Sequence, residues 1–140
     1  MIRTCPACGT SNRIPTKHLA DNGRCGNCRA VLPAASEPVD VDPAQFDAIL
    51  NESPVPVLVD FWAPWCSPCR MAAPEVHAAA ASMAGRALVL KVNTDEHPDL
   101  ANRYGIRGIP NFMVFRGGAP IWQHAGLLRR AQLEEVLGAV

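Results

Sequence analysis

Six cysteines fall into three Cys-x-x-Cys pairs, Cys5/Cys8, Cys25/Cys28 and Cys66/Cys69. One tetrahedral metal site takes four thiolates, so at least one pair must serve another purpose. The spacing of the first four, C-x2-C-x16-C-x2-C, lies within the range typical of a structural zinc site. Each of these pairs forms a knuckle whose two thiolates face one ion, and Gly9 and Gly26 are expected to permit the turns that aim amide groups at sulfur. Four sulfurs close the site to substrate and leave His18 outside it, in solvent. Two disulfides, or reduced thiols in an unordered tail, are the alternatives for Cys5, Cys8, Cys25 and Cys28.

Residues 1–32 show no sustained helical or strand period, and the first 35 positions contain no aromatic residue. Such a segment cannot build its own core and needs a metal staple. It is basic, with Arg3, Arg13, Lys17, Arg24 and Arg29 against Asp21, a net +4 that the remaining residues balance with −4. Basic zinc ribbons can grip nucleic acid; the missing aromatic stacking groups argue against nucleic acid as a partner here. "LPAASEPVD", residues 32–40, reads as a short semi-extended linker. The expected division is a zinc-binding module with linker at 1–35 and a larger domain at 36–140. At 140 residues and 49% hydrophobic composition, one ordinary core with a small appendage is what the chain can bury.

No apolar run near the start resembles a secretory signal, and none approaches the ~20 residues of a membrane span. Six cysteines without an export signal point to metal or redox chemistry in a reducing compartment, so the cytoplasm is the expected location and no membrane contact is expected. Nothing in the sequence demands more than a monomer.

Beyond the linker, Asp42 and Pro43 open a helix in "DPAQFDAILNE" whose Phe46, Ile49 and Leu50 share one face. "PVLVDFWA", residues 56–63, is a nearly unbroken apolar run expected of a strand covered on both faces, interrupted only by Asp60. A helix from Cys66 to about Ala84 follows, bent or locally broken at Pro74. "ALVLKVNTD" is a strand and "PDLANRYGI" a short helix closed by Gly105. "IPNFMVFRGGAPIWQHAG" is a hairpin turning at Gly117-Gly118, and "RAQLEEVLGAV" is a final amphipathic helix. A further strand is expected around Val39–Val41. Strands separated by helices should pair in parallel and the hairpin antiparallel, giving a mixed α/β sheet flanked by helices.

The third cysteine pair lies where the buried strand gives way to a helix. Free N–H groups and the macrodipole at a helix start favour negative charge, which lowers the thiol pKa of Cys66 and marks it as an exposed nucleophile. Pro68 fits the first turn, where its missing N–H has no intrahelical partner. Cys69, at i+3 and turned inward, can displace a bound product by closing a disulfide with Cys66. Asp60, on the strand beneath, is the carboxylate available to handle the Cys69 proton, with Lys91 placed to moderate its raised pKa. The blander readings are a strand-edge Asp60 facing water and a solvated Lys91. Trp62 is expected in the core and Trp65 on a partly exposed wall, with His77, His97 and His124 solvated.

"VLVDFWAPWCSPCRMAAPE", "KVNTDEHPDLANRYGIRGIPNFMVF" and "AGLLRRAQLEEVL" together resemble the thioredoxin family over residues 38–140. The four-cysteine module resembles that of the bacterial members carrying an N-terminal zinc site. The resemblance implies a thioredoxin-like mixed five-stranded sheet flanked by helices, one structural zinc ion and no organic cofactor of its own. It also implies reduction of disulfide-containing protein substrates through a mixed disulfide, with re-reduction by an NADPH-dependent thioredoxin reductase. By match of motif it assigns nucleophile to Cys66, resolving thiol to Cys69, buried proton acceptor to Asp60 beside Lys91, and a cis bond to Ile109-Pro110. Trp65, Gly108, Ile109, Pro110 and Gly126 are implied on the substrate-facing surface. An X-Pro bond makes cis accessible and removes a donor, leaving the preceding backbone free to pair with an extended substrate, with a simple trans turn as the alternative. The chain departs from the family's usual Gly-Pro between the cysteines, having Ser67 and Pro68, which should tune the redox potential. Histidine, common there in oxidants and isomerases, is missing, which favours a reductant. An oxidase or isomerase is the competitor within the fold, and a zinc-dependent redox-sensing or binding protein the competitor outside it.

Overall fold

The computed structural model describes residues 1–140. In chain order it runs β1 (Ile2–Thr4), β2 (Ser11–Arg13), a 3-10 turn (Thr16–His18), β3 (Gly23–Arg24), β4 (Val31–Leu32), β5 (Val39–Asp40), α1 (Pro43–Glu52), β6 (Val57–Trp62), α2 (Ser67–Ser82), β7 (Leu88–Asn93), α3 (Pro98–Arg103), β8 (Asn111–Arg116), β9 (Ala119–Ala125) and α4 (Arg130–Ala139). Five strands form one sheet in the order β5-β7-β6-β8-β9. β6 lies at its centre, and its side chains alternate between two buried faces. Val57, Val59 and Phe61 join Phe46, Ile49 and Leu50 of α1, Leu100 of α3, and Met113 and Phe115 of β8. Leu58 faces the other way, with Val76 and Ala79 of α2, Phe112 of β8 and Leu133 of α4.

β5 and β6 pair in parallel with β7, as the intervening helices require. β8 does not follow that expectation, because it runs antiparallel to β6. The reason is length: α3 has 6 residues and rises only about 9 Å. That is enough to cross two strand spacings at one end of the sheet, but too little to carry the chain back to the other end. β8 therefore enters from the end where β7 stopped. Gly117 and Gly118, at φ 60° and 81°, turn the chain into β9, and both positions need the left-handed region of a tight hairpin turn.

Local signals at α1 appear as expected. The Asp42 carboxylate accepts from the Gln45 N–H at 2.8 Å, and the Gln45 side chain accepts from the Asp42 N–H at 3.1 Å. α2 is not broken at Pro74, which sits in its interior. Pro74 leaves only the Arg70 carbonyl without its helical donor, and the turns on either side of it are held by Ala72, Val76 and Ala79 in the core.

The amino-terminal segment, which shows no period in the sequence, forms two small antiparallel hairpins, β1/β2 and β3/β4. Strands this short cannot display a period, so the cysteine knuckles rather than the pattern organise them. The segment docks on the larger sheet domain. Leu19 is 4% exposed and belongs to the same core as Phe46 and Ile49, with Met1, Ile14 and Ala35 packed beside it. The Thr16 hydroxyl donates to Glu52 on α1 at 2.8 Å. Arg3 donates to the Leu19 and Asp21 carbonyls at 3.0 and 3.2 Å, and the Ala35 N–H to the Leu19 carbonyl at 2.9 Å. Replacing Leu19 by Ala should destabilise the whole chain by about 2–4 kcal/mol, the usual cost of truncating a buried leucine. Chemical denaturation of the full chain checks this, and an unchanged midpoint would show the contact to be incidental.

Candidate functional site

Cys66 occupies the N-cap of α2 with extended backbone angles, and its sulfur accepts from the Cys69 N–H at 3.2 Å. The two cysteines are joined as a disulfide, their Cα atoms 5.2 Å apart. The helix start thus does what the sequence suggests, putting Cys66 sulfur where free N–H groups point. Burial of Cys66 differs from expectation, since it is only 4% exposed, while Cys69, also 4% exposed, is turned inward. Ala63, Trp62 and Ile109 pack around both, and the Ile109 carbonyl oxygen lies 3.6 Å from the Cys66 sulfur. The exposed rim consists of Trp65, 67% exposed, with Ser67, Pro68 and Met71.

Ile109-Pro110 is cis. Pro110 is buried, and its carbonyl accepts from the Gly126 N–H at 2.8 Å, which ties the loop at Gly126 to the loop that packs on the dithiol. Gly126 adopts φ 110°, a value few other residues tolerate. Gly108 is exposed, and a Cβ there would meet nothing within 4 Å. The Trp65 ring N–H donates to Asp95 at 3.2 Å, and Arg70 donates to the Pro64 carbonyl at 2.8 Å, together fastening the loop before α2. The Ser67 side chain makes no hydrogen bond.

Asp60 is 1% exposed and its Oδ1 has no hydrogen-bond partner. It lies opposite Lys91 of β7 and Phe112 of β8 in register. Burial pushes its carboxyl up to about 7, opposed by the positive charge of Lys91. Asp60 is therefore no water-facing strand edge. Lys91 is half-buried and makes no direct ion pair with Asp60; its ammonium sits 4.2 Å above the Trp62 ring instead. Trp62 is half-buried rather than a full core residue, and its ring N–H is enclosed without a partner. Its position at the end of β6, between the dithiol and Lys91, keeps it from being sealed.

At the other end of the chain the sulfurs of Cys5, Cys8, Cys25 and Cys28 all lie within 4.8 Å of one another. Cys5 and Cys28 are 3.6 Å apart, as are Cys8 and Cys25. The two knuckles repeat one backbone pattern: the Gly9 N–H donates to the Cys5 carbonyl at 2.9 Å and the Arg29 N–H to the Cys25 carbonyl at 3.0 Å. Gly9 has φ 75°, but in the second knuckle Arg29, at φ 66°, takes the left-handed position that Gly26 was expected to fill. Gly26 instead donates its N–H to Asn12 at 3.0 Å. The Asn27 N–H and the Asn12 amide point at the Cys25 sulfur, 3.4 and 3.5 Å away. A hydrogen bond with the Thr10 hydroxyl, aided by Asn27, brings the Cys8 thiol down to about 5. Cys28 is pushed up to about 12, the Ala30 backbone contact that lowers it being outweighed by the neighbouring Cys8 and Cys5. Four thiolates this close repel one another, and a divalent cation at their centre removes that conflict. The cluster is thus a metal-binding site. His18 stays exposed and pairs with Asp21 at 2.8 Å.

A mixed sheet with a dithiol at the start of a helix defines a thiol–disulfide oxidoreductase. The family profile described as "Thioredoxin" matches residues 37–139, and that described as "Thioredoxin 2, N-terminal" matches residues 4–30. The chain belongs to the thioredoxin family, and is a disulfide reductase of that family with an added metal-binding ribbon. It is 34% identical to Thioredoxin C-3 of Corynebacterium nephridii over 98% of this chain and 93% of that one. It is 46% identical to Thioredoxin 1 of Nostoc sp. over 76% of this chain and 96% of the relative. A mutant thioredoxin from Halobacterium salinarum superposes with TM-score 0.70 at 32% identity, covering 75% of this chain and 91% of that structure.

Asn111, directly after Pro110, is a buried side chain not foreseen from the sequence, and it accepts from Gln123 on β9 at 3.1 Å. Its signal was a lone amide opening an apolar strand. His77 and His124 are exposed as expected, while His97 is half-buried.

Burial of Asp60 has a pH signature. Its folded-state pKa, about 7, lies above the ordinary aspartate value of 3.8, so the folded chain holds this proton more tightly and loses stability as pH rises between those values. The difference is worth up to about 4 kcal/mol at ~1.4 kcal/mol per pH unit. Asp60→Asn should be more stable than wild type above pH ~7, with the gain fading below pH ~4. Denaturation across that range checks it, and a gain independent of pH would contradict the buried-acid assignment.

Proposed function

We propose that Cys66 is the attacking thiolate and Cys69 the resolving thiol of a protein-disulfide reductase. Cys66 sulfur forms a bond to one sulfur of the substrate disulfide, and the other substrate sulfur leaves and takes up a proton. Cys69 then attacks Cys66, giving its proton to Asp60, and the second substrate sulfur is released as a thiolate that takes up a proton from water. The chain ends with the Cys66–Cys69 disulfide, oxidised by two electrons, and the substrate ends as a dithiol. The single observation carrying this reading is the Cys66 sulfur at the helix cap, accepting the Cys69 N–H at 3.2 Å, a contact that favours thiolate on Cys66 and keeps the two sulfurs together.

Asp60 is the proton acceptor, and Lys91 moderates it through charge. Trp65, Gly108, Ile109, Pro110 and Gly126 form the surface that receives an extended substrate segment, and Ser67 with Pro68 tunes the potential. An NADPH-dependent thioredoxin reductase returns the electrons, and the reaction runs in the cytoplasm on a monomer. Residues 1–35 form a unit organised by one zinc ion on Cys5, Cys8, Cys25 and Cys28, and 36–140 carry the redox site. A tetrahedron with Zn–S bonds of ~2.3 Å has sulfur–sulfur edges of about 3.8 Å, and the 3.6 Å separations of two of the sulfur pairs come close to that edge. Zinc there supplies folding energy and no catalytic step.

Cys66→Ser should abolish insulin reduction in a reductase-coupled NADPH assay, whereas Cys69→Ser should accumulate a covalent mixed disulfide visible by mass spectrometry. Trapping by Cys66→Ser instead would reverse the two roles. Zinc analysis should find one ion per chain. Its removal by a chelator should unfold the ribbon and lower the Tm of the remaining domain, because Leu19 and Ala20 leave the core; an unchanged Tm would separate the two units energetically.

A further inference from the structure

Lys91 has two carboxylates as register partners. Asp60 lies opposite it on β6, and Asp40 lies opposite it on β5. Partners in parallel register project to the same face about 4.8 Å from their neighbour, so Asp40, Lys91 and Asp60 form one row across three strands, with the cation in the middle. One end of the row is buried and the other is exposed. A cavity of about 550 Å³ opens on the exposed end, lined by Asp40, Asp42, Trp62, Lys91, Glu96 and His97 among others. Asp42 is engaged in capping α1, and Glu96 accepts from Asn93 at 3.2 Å. Asp40 makes no hydrogen bond or ion pair, which leaves its charge free to act on Lys91.

We propose that Asp40 is a positioning residue for the dithiol reaction: it shares the Lys91 ammonium with Asp60, limits how much of that charge reaches the buried carboxyl, and so keeps Asp60 ready to take the Cys69 proton. This rests on the reading of Asp60 as the proton acceptor. The ammonium has three places to settle: toward Asp60, toward Asp40, or over the Trp62 face where it lies. A charge held at the middle of the row stabilises ionised Asp60 less than a direct ion pair does. Removing Asp40 takes away the competing attraction and a negative field, and both effects favour ionised Asp60. The other titratable groups of the cavity, Asp42, Glu96 and His97, are not register partners of Lys91. β8 and α4 offer Phe112, Leu133 and Leu137, α2 offers the Cys66–Cys69 pair packed on Trp62, and Arg70 is held at the Pro64 carbonyl. His97 and Glu96 line the cavity from the loop before α3.

The test is to follow the Asp60 carboxyl carbon by NMR through a pH titration of the full chain, in wild type, Asp40→Asn and Asp40→Glu. Asp40→Asn should move the Asp60 midpoint down by about half a pH unit, shift the pH profile of insulin reduction in the same direction, and leave Asp40→Glu close to wild type. In a Lys91→Gln background the Asp40→Asn shift should shrink by at least half. An unmoved midpoint in Asp40→Asn overturns the proposal, as does a shift that survives undiminished without Lys91. The titration reads Asp60 itself: if Asp60→Asn leaves the pH–rate profile unchanged, it is the proton-acceptor reading that fails, independently of what Asp40 does to the midpoint.

Discussion

A carboxylate in the middle of an apolar strand is costly, and the active-site half of the molecule is arranged around that cost. β6 is covered on both faces, so Asp60 has no route to bulk water along its own strand, and one of its oxygens finds no donor. Burial keeps the group near neutral pH in its titration, where it can accept and release protons with little driving force. Lys91 limits the penalty without cancelling it, because its ammonium rests on Trp62 rather than on the carboxylate. The dithiol benefits from the same enclosure. Cys66 and Cys69 are packed by Trp62, Ala63 and Ile109, and the helix start supplies the donor that water would otherwise provide.

The ribbon illustrates a different economy of structure. It has too few apolar residues for a core, and four sulfurs with their surrounding amides fix its two hairpins. It is nevertheless no free appendage. Leu19 and Ala20 extend from it into the same apolar layer as α1 and β7, and Arg3, two residues from Cys5, holds the carbonyls of the turn that carries Leu19. Order at the sulfurs and packing at α1 are thereby parts of one structure, although the dithiol opens elsewhere.

Much of this was legible in the residues. The three cysteine pairs separated by context into a cluster and a dithiol, since only Cys66 follows a buried strand and opens a helix. Asp42-Pro43 and Gly117-Gly118 announced their cap and turn through local chemistry. Asp60 stood out as one charge in an apolar run. Less legible were features that depend on partners far along the chain. The reversal of β8 follows from the short reach of α3. Burial of Cys66 follows from the Ile109-Pro110 loop, 43 residues away in sequence. The left-handed residue of the second knuckle fell on Arg29, because backbone pairing with Ala30 sets that position rather than residue type.

By itself the sequence determined the element types of the larger domain, the reactive pair, the metal cluster and the family, because each is written in local spacing or in a short motif that one segment contains whole. Only the tertiary structure decided that Lys91 would lie between Asp40 and Asp60, that Trp62 would take the ammonium, and that the linker would be pinned beneath the ribbon. Those outcomes depend on strand order and register, and register arises from the fit of several faces at once, which no single segment encodes.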